Sequence, residues 1–187
     1  MPATALAKEV PAMAEDWRVF ERLAQVFRKI AVSSDPIADG ITTERFSRHL
    51  DRMENTMWSI EQATKMGYYY VTQPCEHPND AGSRLVYEHG MEQLRYLRNF
   101  MEALAAQIEV LATYLTSPDA RDEAKLVADE LYGLIDRRHG RIYRVGQGFC
   151  SITAPDMERL KLEMVQNAGF EGNARKALSA VINKYNR

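Results

Sequence analysis

The sequence contains two long runs of mostly apolar residues. Within each run, the distance between successive residues alternates between three and four positions. The first run comprises Phe46, Leu50, Met53, Met57, Ile60, Thr64, Gly67 and Val71, and the second comprises Leu94, Leu97, Met101, Leu104, Ile108, Leu111 and Leu115. This spacing keeps one side chain per turn on the same face of an α-helix. Neither run contains a proline, so each predicts one long amphipathic helix, over about 43–72 and about 80–115.

Prolines, glycines and capping residues set the other boundaries. Ser33–Pro36 ends a first helix, and Ser117 followed by Pro118 starts a fourth, since serine caps a helix and proline fits its first position. Gly169 and Gly172 separate the last two helical segments. These signals predict helices over residues 15–32, 117–145, 154–168 and 173–185. The predicted fold class is therefore all-α: a helical bundle with four principal helices plus a C-terminal helical hairpin.

Length and composition fit one globular domain. The chain has 187 residues, of which 45% are apolar and 27% are charged, and this balance supports a core without metal or disulfide staples. Residues 1–13 are rich in alanine and contain two prolines, so they are predicted to form a flexible N-terminal lead-in. Residues 14–187 are predicted to form a single helical-bundle domain.

The net charge and the length of the apolar segments indicate where in the cell the chain is expected. The net charge of −2 at pH 7 gives no overall attraction to nucleic acid or to an anionic membrane. No segment reaches the ~20 apolar residues of a membrane span, and Lys8, Glu9 and Pro11 interrupt the stretch where a signal peptide is apolar. We therefore predict a cytoplasmic protein in which Cys75 and Cys150 are ordinary thiols, with one disulfide between them as the open alternative.

A helical bundle can hold a carboxylate-bridged two-metal centre. Such a site takes glutamates from two helices and a Glu-x-x-His pair from each of two others. The chain has no Glu-x-x-His, and Asp136-x-x-His139 is its one acid-to-histidine pair at that spacing. Glu61, Glu88 and Glu92 complete this candidate metal site if their helices face the pair. In the alternative interpretation the three glutamates are solvated surface residues and His139 is a hydrogen-bonded core residue.

A mixed zinc site is a further hypothesis, built from Cys75-x-His77 together with His89 and Cys150. Structural zinc sites usually contain two closely spaced pairs, such as Cys-x-x-Cys. This chain has only one loose pair, so an ordinary loop is the favoured interpretation of the segment around Cys75.

Arginines form a basic stripe late in the fourth predicted helix. Arg137, Arg141 and Arg144 share a face, and Arg138 stands beside them. Guanidinium groups pair well with phosphate or carboxylate oxygens, and Tyr143 is placed to stack on a base. A solvated or salt-bridged face is nevertheless favoured, because cations near a helix C-terminus are stabilising in any case. Nucleic acid is not the expected partner of a chain with negative net charge.

The sequence identifies no catalytic set and no cofactor motif. The long helices have broad apolar faces with methionines and aromatics, among them Trp58 and Tyr68–Tyr70, and such residues are typical of cores and subunit interfaces. We predict an interaction or regulatory module that acts through helix faces as a homodimer. The first alternative is an enzyme, or a ligand or metal carrier, with a polar site inside the bundle. The second is a nucleic-acid-binding protein that uses the arginine stripe.

Overall fold

The structure is a computed structural model built from α-helices. It describes residues 17–73, 75, 77–146 and 154–186, and the side chains of these residues except 136–157. Within this part of the chain the helices are α1 (Val19–Val32), α2 (Thr43–Val71), α3 (Ala81–Tyr114), α4 (Pro118–Gly146) and α5 (Ala154–Tyr185). The prediction of an all-α helical bundle is confirmed.

Side-chain caps start the second and fourth helices. Thr42 Oγ1 accepts a hydrogen bond from the backbone nitrogen of Arg45 at 3.1 Å, at the start of α2. Ser117 Oγ accepts one from the backbone nitrogen of Ala120 at 3.4 Å, at the start of α4. Each bond satisfies a donor that the first turn of a helix leaves without an internal partner. The capping residues therefore fix both starts at the positions that the sequence predicts.

The described helices pack around one core. α2 lies between α3 and α5, α4 packs against α3, and α1 closes the arrangement by packing against α4 and α5. Every helix contributes fully buried apolar residues, among them Phe20, Leu50, Leu97, Leu131 and Leu178. Burial of these faces is the main stabilising contribution. Ion pairs of Arg22 with Glu130 and of Lys29 with Glu123 join α1 to α4 at the surface, where such pairs contribute little.

The C-terminal region differs from its prediction. Instead of a helical hairpin, the structure has one continuous helix, α5, which passes through Gly169 and Gly172. A glycine within a helix costs about 1 kcal/mol relative to alanine. Burial of one uninterrupted face, which includes Leu160, Ala174 and Leu178, outweighs that cost because each large apolar side chain contributes about 1.5–3 kcal/mol.

The close crossing of α2 and α3 leads to a stability prediction. A Cβ atom on Gly90 would lie 2.8 Å from Tyr70 Cβ and 2.9 Å from the backbone nitrogen of Val71. On Gly169 the same atom would meet nothing within 4 Å. Gly90→Ala is expected to lower the free energy of unfolding by about 1 kcal/mol, because overpacking costs about 1–3 kcal/mol and exceeds the gain in helix propensity.

Gly169→Ala is the matched control for this substitution. It is expected to raise the free energy of unfolding by up to about 1 kcal/mol, since alanine is the better helix former and here finds open space. Urea unfolding followed by circular dichroism measures both variants. Equal stabilisation by the two substitutions would contradict the close packing of α2 against α3 at Gly90.

Candidate functional site

Three polar residues lie on the core-facing side of α5. Glu163, Asn167 and Glu171 follow one another at intervals of four residues, so they share a helix face, and each is at most 3% exposed. Leu160 and Leu178 extend this face in both directions and are fully buried. Burial of polar groups is unfavourable unless they find hydrogen-bond partners. The polar stripe is therefore the first candidate for a functional site.

Glu171 lies where α5 meets α2 and the start of α1. Its Oε1 atom accepts hydrogen bonds from Trp17 Nε1 at 2.8 Å and from Thr64 Oγ1 at 2.7 Å. Burial raises the pKa of Glu171 to about 8, although these two hydrogen bonds favour the carboxylate and act in the opposite direction. The Oε2 atom has no hydrogen-bond partner among the described residues. The hydrogen bonds to Oε1 thus hold the carboxyl group in place.

Glu61 is a second buried acid beside Glu171. It lies on α2 and forms an ion pair with Nε of Arg175 on α5. A Cβ atom on Gly172 would lie 3.1 Å from Glu61 Oε1, so the glycine leaves room for the carboxylate. The charge of Glu61 adds to the effect of burial in raising the pKa of Glu171. The two acids differ, because Glu61 is paired with the charged Arg175, whereas the described hydrogen-bond partners of Glu171 are uncharged.

The other polar atoms of this region have no hydrogen-bond partner among the described side chains. Both carboxyl oxygens of Glu163, both amide atoms of Asn167 and the hydroxyl of Tyr68 are buried and make no hydrogen bond to any described residue. Burial raises the pKa of Glu163 to about 8. Burial also raises the pKa of Tyr68 well above its ordinary value, and the charges of Glu163 and Glu171 add to this shift. Tyr68, Glu163, Asn167 and Glu171 therefore lie close together, and we call them the interior cluster.

The structure describes the side chains of three of the five residues of the predicted metal site. Glu61 is buried between α2 and α5, so its interpretation as a solvated surface acid is wrong, whereas Glu88 and Glu92 are exposed on α3. The side chains of Asp136 and His139 lie outside the described residues. Among the residues that are described, no group of three or more His, Cys, Asp and Glu is placed to hold a metal ion. A metal site that uses Asp136 and His139 stays a prediction.

The basic stripe lies in the C-terminal third of α4. The helix backbone contains Arg137, Arg138, Arg141 and Arg144, but their side chains lie outside the described residues. Nucleic-acid contact through this stripe therefore stays a prediction. It would produce retention on heparin that weakens as the salt concentration rises.

Cys75 is disulfide-bonded in the structure, so its interpretation as an ordinary thiol is wrong. A disulfide sulfur is not a thiolate, which removes Cys75 from the hypothetical zinc site with His77 and His89. The chain's other cysteine, Cys150, lies outside the described residues. Disulfides are rare in the cytosol, so the bond at Cys75 does not support the predicted cytoplasmic location. That location stays a prediction. Within the described part of the chain, no helix has both the length and the apolar content that crossing a membrane requires.

An apolar groove of about 450 Å³ opens between α2 and α5 at the surface. Its lining residues come from both helices: Lys65, Met66, Tyr69, Tyr70, Met164, Val165 and Ala168. Trp58, on the same outer side of α2 as Lys65 and Tyr69, is half exposed, and Leu162 on α5 is 67% exposed. We call this surface the α2/α5 groove, and it is the second candidate for a functional site.

Comparison of the chain with protein-family models, with curated proteins and with solved structures finds no match. The interior cluster and the α2/α5 groove therefore carry the functional argument by themselves. Sequence reasoning missed the interior cluster, although its signal is present: Glu163, Asn167 and Glu171 continue the apolar spacing of Leu160 and Leu178. Because a break was predicted at Gly169, this spacing was divided between two short predicted helices and was not recognised as one face.

Proposed function

We propose that this chain is an interaction module that self-associates as a homodimer through the α2/α5 groove. The observation that carries the proposal is the exposed apolar surface around the groove. Trp58 and Tyr69 on α2, and Leu162 and Val165 on α5, are each more than half exposed. Exposed apolar surface that is concentrated in one region of a soluble protein is typical of interaction sites.

The area of this surface fits a second copy of the chain. With Met66 included, the exposed parts of these side chains amount to roughly 500 Å², given that a fully covered aromatic side chain buries about 150–250 Å². A standard interface buries about 800 Å² on each partner and surrounds an apolar centre with a polar rim. Gln62 and Lys65 lie beside the apolar residues on α2 and can supply part of that rim. The apolar area is thus sufficient for the centre of a dimer contact.

Two-fold symmetry explains why one groove serves both copies. In a symmetric dimer each chain contributes the same surface, so residues that project from one copy enter the recess of the other. Val165 lines the groove and is 63% exposed, and the groove walls formed by Met66 and Met164 are flexible enough to receive the Val165 side chain of the other copy. Control of this association would give the module a regulatory role.

A charge introduced at the groove is expected to prevent dimer formation. Val165→Asp should weaken self-association more than about tenfold, because Val165 lines the groove and changes at the centre of an interface cost about 2 kcal/mol or more. Sedimentation velocity across micromolar concentrations measures the effect. The wild-type chain is expected to shift from monomer to dimer over this range.

Leu126→Asp is the matched control, since Leu126 is 62% exposed and lies on α4, which does not line the groove. It should dimerise as the wild-type chain does. A wild-type chain that stays monomeric over the whole range would disprove the dimer, and equal weakening by both variants would show that the contact lies elsewhere.

A further inference from the structure

A disulfide bond joins two of the connections between helices. Cys75, which lies between α2 and α3, is disulfide-bonded. The sequence contains one other cysteine, Cys150, between α4 and α5, so Cys150 is the only partner that the chain itself offers. The bond therefore encloses α3 and α4 in one covalent loop, and it links the residues that follow α2 to the residues that precede α5.

The two linked ends lie at the same end of the bundle. Glu54 on α2 accepts a hydrogen bond from Ser179 on α5, and Thr64, further along α2, donates one to Glu171, which is earlier on α5. The two helices are therefore antiparallel. The C-terminal end of α2 and the N-terminal end of α5 are thus neighbours, and these two helices are the walls of the α2/α5 groove.

The bond is close in sequence to both walls of the groove. Cys75 comes four positions after Val71, the last residue of α2, and Cys150 comes four positions before Ala154, the first residue of α5. Tyr70, which directly precedes Val71, lines the groove. Because a few residues of chain span only a short distance, the covalent link limits how far the two helix ends can separate.

α1 packs against the other half of α5. Trp17, just ahead of α1, donates a hydrogen bond to Glu171, and Lys184 near the end of α5 donates one to the backbone oxygen of Ala31. α1 therefore runs beside the C-terminal half of α5, whereas the groove residues of α5 lie within 164–168. Of the two helices that make extensive contacts with α5, α2 is thus the one that flanks the groove, and the disulfide adds a second restraint at that end.

We propose that the disulfide of Cys75 and Cys150 is a redox-controlled clamp that holds the α2/α5 groove in its binding shape. Cys75 is partly exposed, so a thiol reductant can reach it. A dithiol gives two electrons and two protons to the bond: the sulfur–sulfur bond breaks, two cysteine thiols form, and the dithiol becomes a cyclic disulfide. The ends of α2 and α5 are then free to separate, and the groove loses its preformed shape.

The clamp would control the dimer, and this consequence rests on the proposed function. A preformed surface loses less conformational freedom on binding than a mobile one, so the oxidised chain should associate more tightly than the reduced chain. We expect reduction to weaken self-association at least about fivefold. A reducing compartment would then favour the monomer, as expected of a disulfide that acts as a redox sensor.

Hydrogen exchange followed by mass spectrometry tests the clamp without requiring a dimer. The full chain is compared in its oxidised form and after reduction with dithiothreitol, at a concentration at which it is monomeric. The amides of residues 164–168 should exchange at least about tenfold faster after reduction, because local opening of the helix controls their exchange. The amides around Leu178, in the half of α5 that packs against α1, should exchange at the same rate in both forms.

Cys75→Ser separates loss of the bond from other effects of the reductant. Without dithiothreitol it should show the exchange rates of the reduced wild-type chain, and addition of dithiothreitol should not change them. Asn79→Ser is the matched control, since Asn79 is exposed in the same connection and its replacement leaves the bond intact. It should respond to dithiothreitol as the wild-type chain does. If Cys75→Ser does not fold, reduction of the folded wild-type chain still carries the test.

Equal exchange at residues 164–168 in the oxidised and reduced chains would overturn the clamp. Faster exchange throughout the chain, including Leu178, would also overturn it, because the bond would then support the whole fold and not the groove. A disulfide between two chains, seen by electrophoresis without reductant, would have the same consequence.

Sedimentation velocity of the oxidised and reduced chains tests the control of association separately. Equal dimer affinity in the two forms would contradict that control. A chain that is monomeric in both forms would disprove the proposed dimer, and the exchange rates at residues 164–168 would then decide the clamp by themselves.

Discussion

Replacing Arg175 with methionine is expected to lower the free energy of unfolding by about 3 kcal/mol, because it leaves a buried carboxylate without its partner charge. Glu61 is 4% exposed, and its ion pair with Arg175 joins α2 to α5. The Arg175 side chain itself is 37% exposed. Water therefore reaches the pair from one side, and the expected loss lies at the lower end of the range for buried pairs. Methionine keeps the apolar contacts of the arginine side-chain stem, so the loss of stability measures the contribution of the charge.

A double-mutant cycle separates the ion pair from other effects of the substitution. The variant with both Glu61→Gln and Arg175→Met has no buried charge at this position, and it should recover most of the loss. Arg98→Met is the control, because Arg98 lies 3.5 Å from Glu102 in a pair whose members are both about half exposed. That change should cost less than about 1 kcal/mol. Urea unfolding measures all variants, and equal losses for Arg175→Met and Arg98→Met would contradict the buried pair.

Local patterns were sufficient to predict most of the helices. The three-and-four spacing from Phe46 to Val71 places one side chain per turn on one face, and the structure buries these residues within the single helix α2. Ser117 and Pro118 start α4 as predicted, because a cap and a proline act within one turn and need no distant partner. Signals that act within one or two helical turns can therefore be read from the sequence.

The interior cluster required information that no local pattern contains. Trp17 donates its hydrogen bond to Glu171, 154 positions further along the chain, and Thr64 reaches the same oxygen from another helix. Which helices are neighbours decides these contacts, and periodicity indicates only which residues share a face. The error at Gly169 has a related cause, because local propensity favours a break there and only packing against α1 and α2 makes the continuous helix more stable.

The protein is expected to lose stability as the pH rises from about 5 to about 9. Burial raises the pKa of Glu163 and of Glu171 from 4.5 to about 8. Between these values the folded chain holds protons that the unfolded chain has released, so deprotonation favours unfolding. The loss is absent below about pH 4.5, develops through neutral pH and is complete above about pH 8. Each carboxyl group contributes a few kcal/mol at most, on the order of 1.4 kcal/mol per unit of pKa difference.

Glu163→Gln should remove its share of this pH dependence. Glutamine resembles the protonated acid in size and carries no charge, so the variant should match the wild-type chain near pH 5 and exceed its free energy of unfolding by a few kcal/mol near pH 9. The difference must grow with pH, because only the ionised acid is disfavoured by burial. Urea unfolding in buffers of matched ionic strength measures it, with Glu88→Gln on the surface as the control that should follow the wild-type curve. A Glu163→Gln curve parallel to the wild-type curve at every pH would show that Glu163 is solvated and not buried.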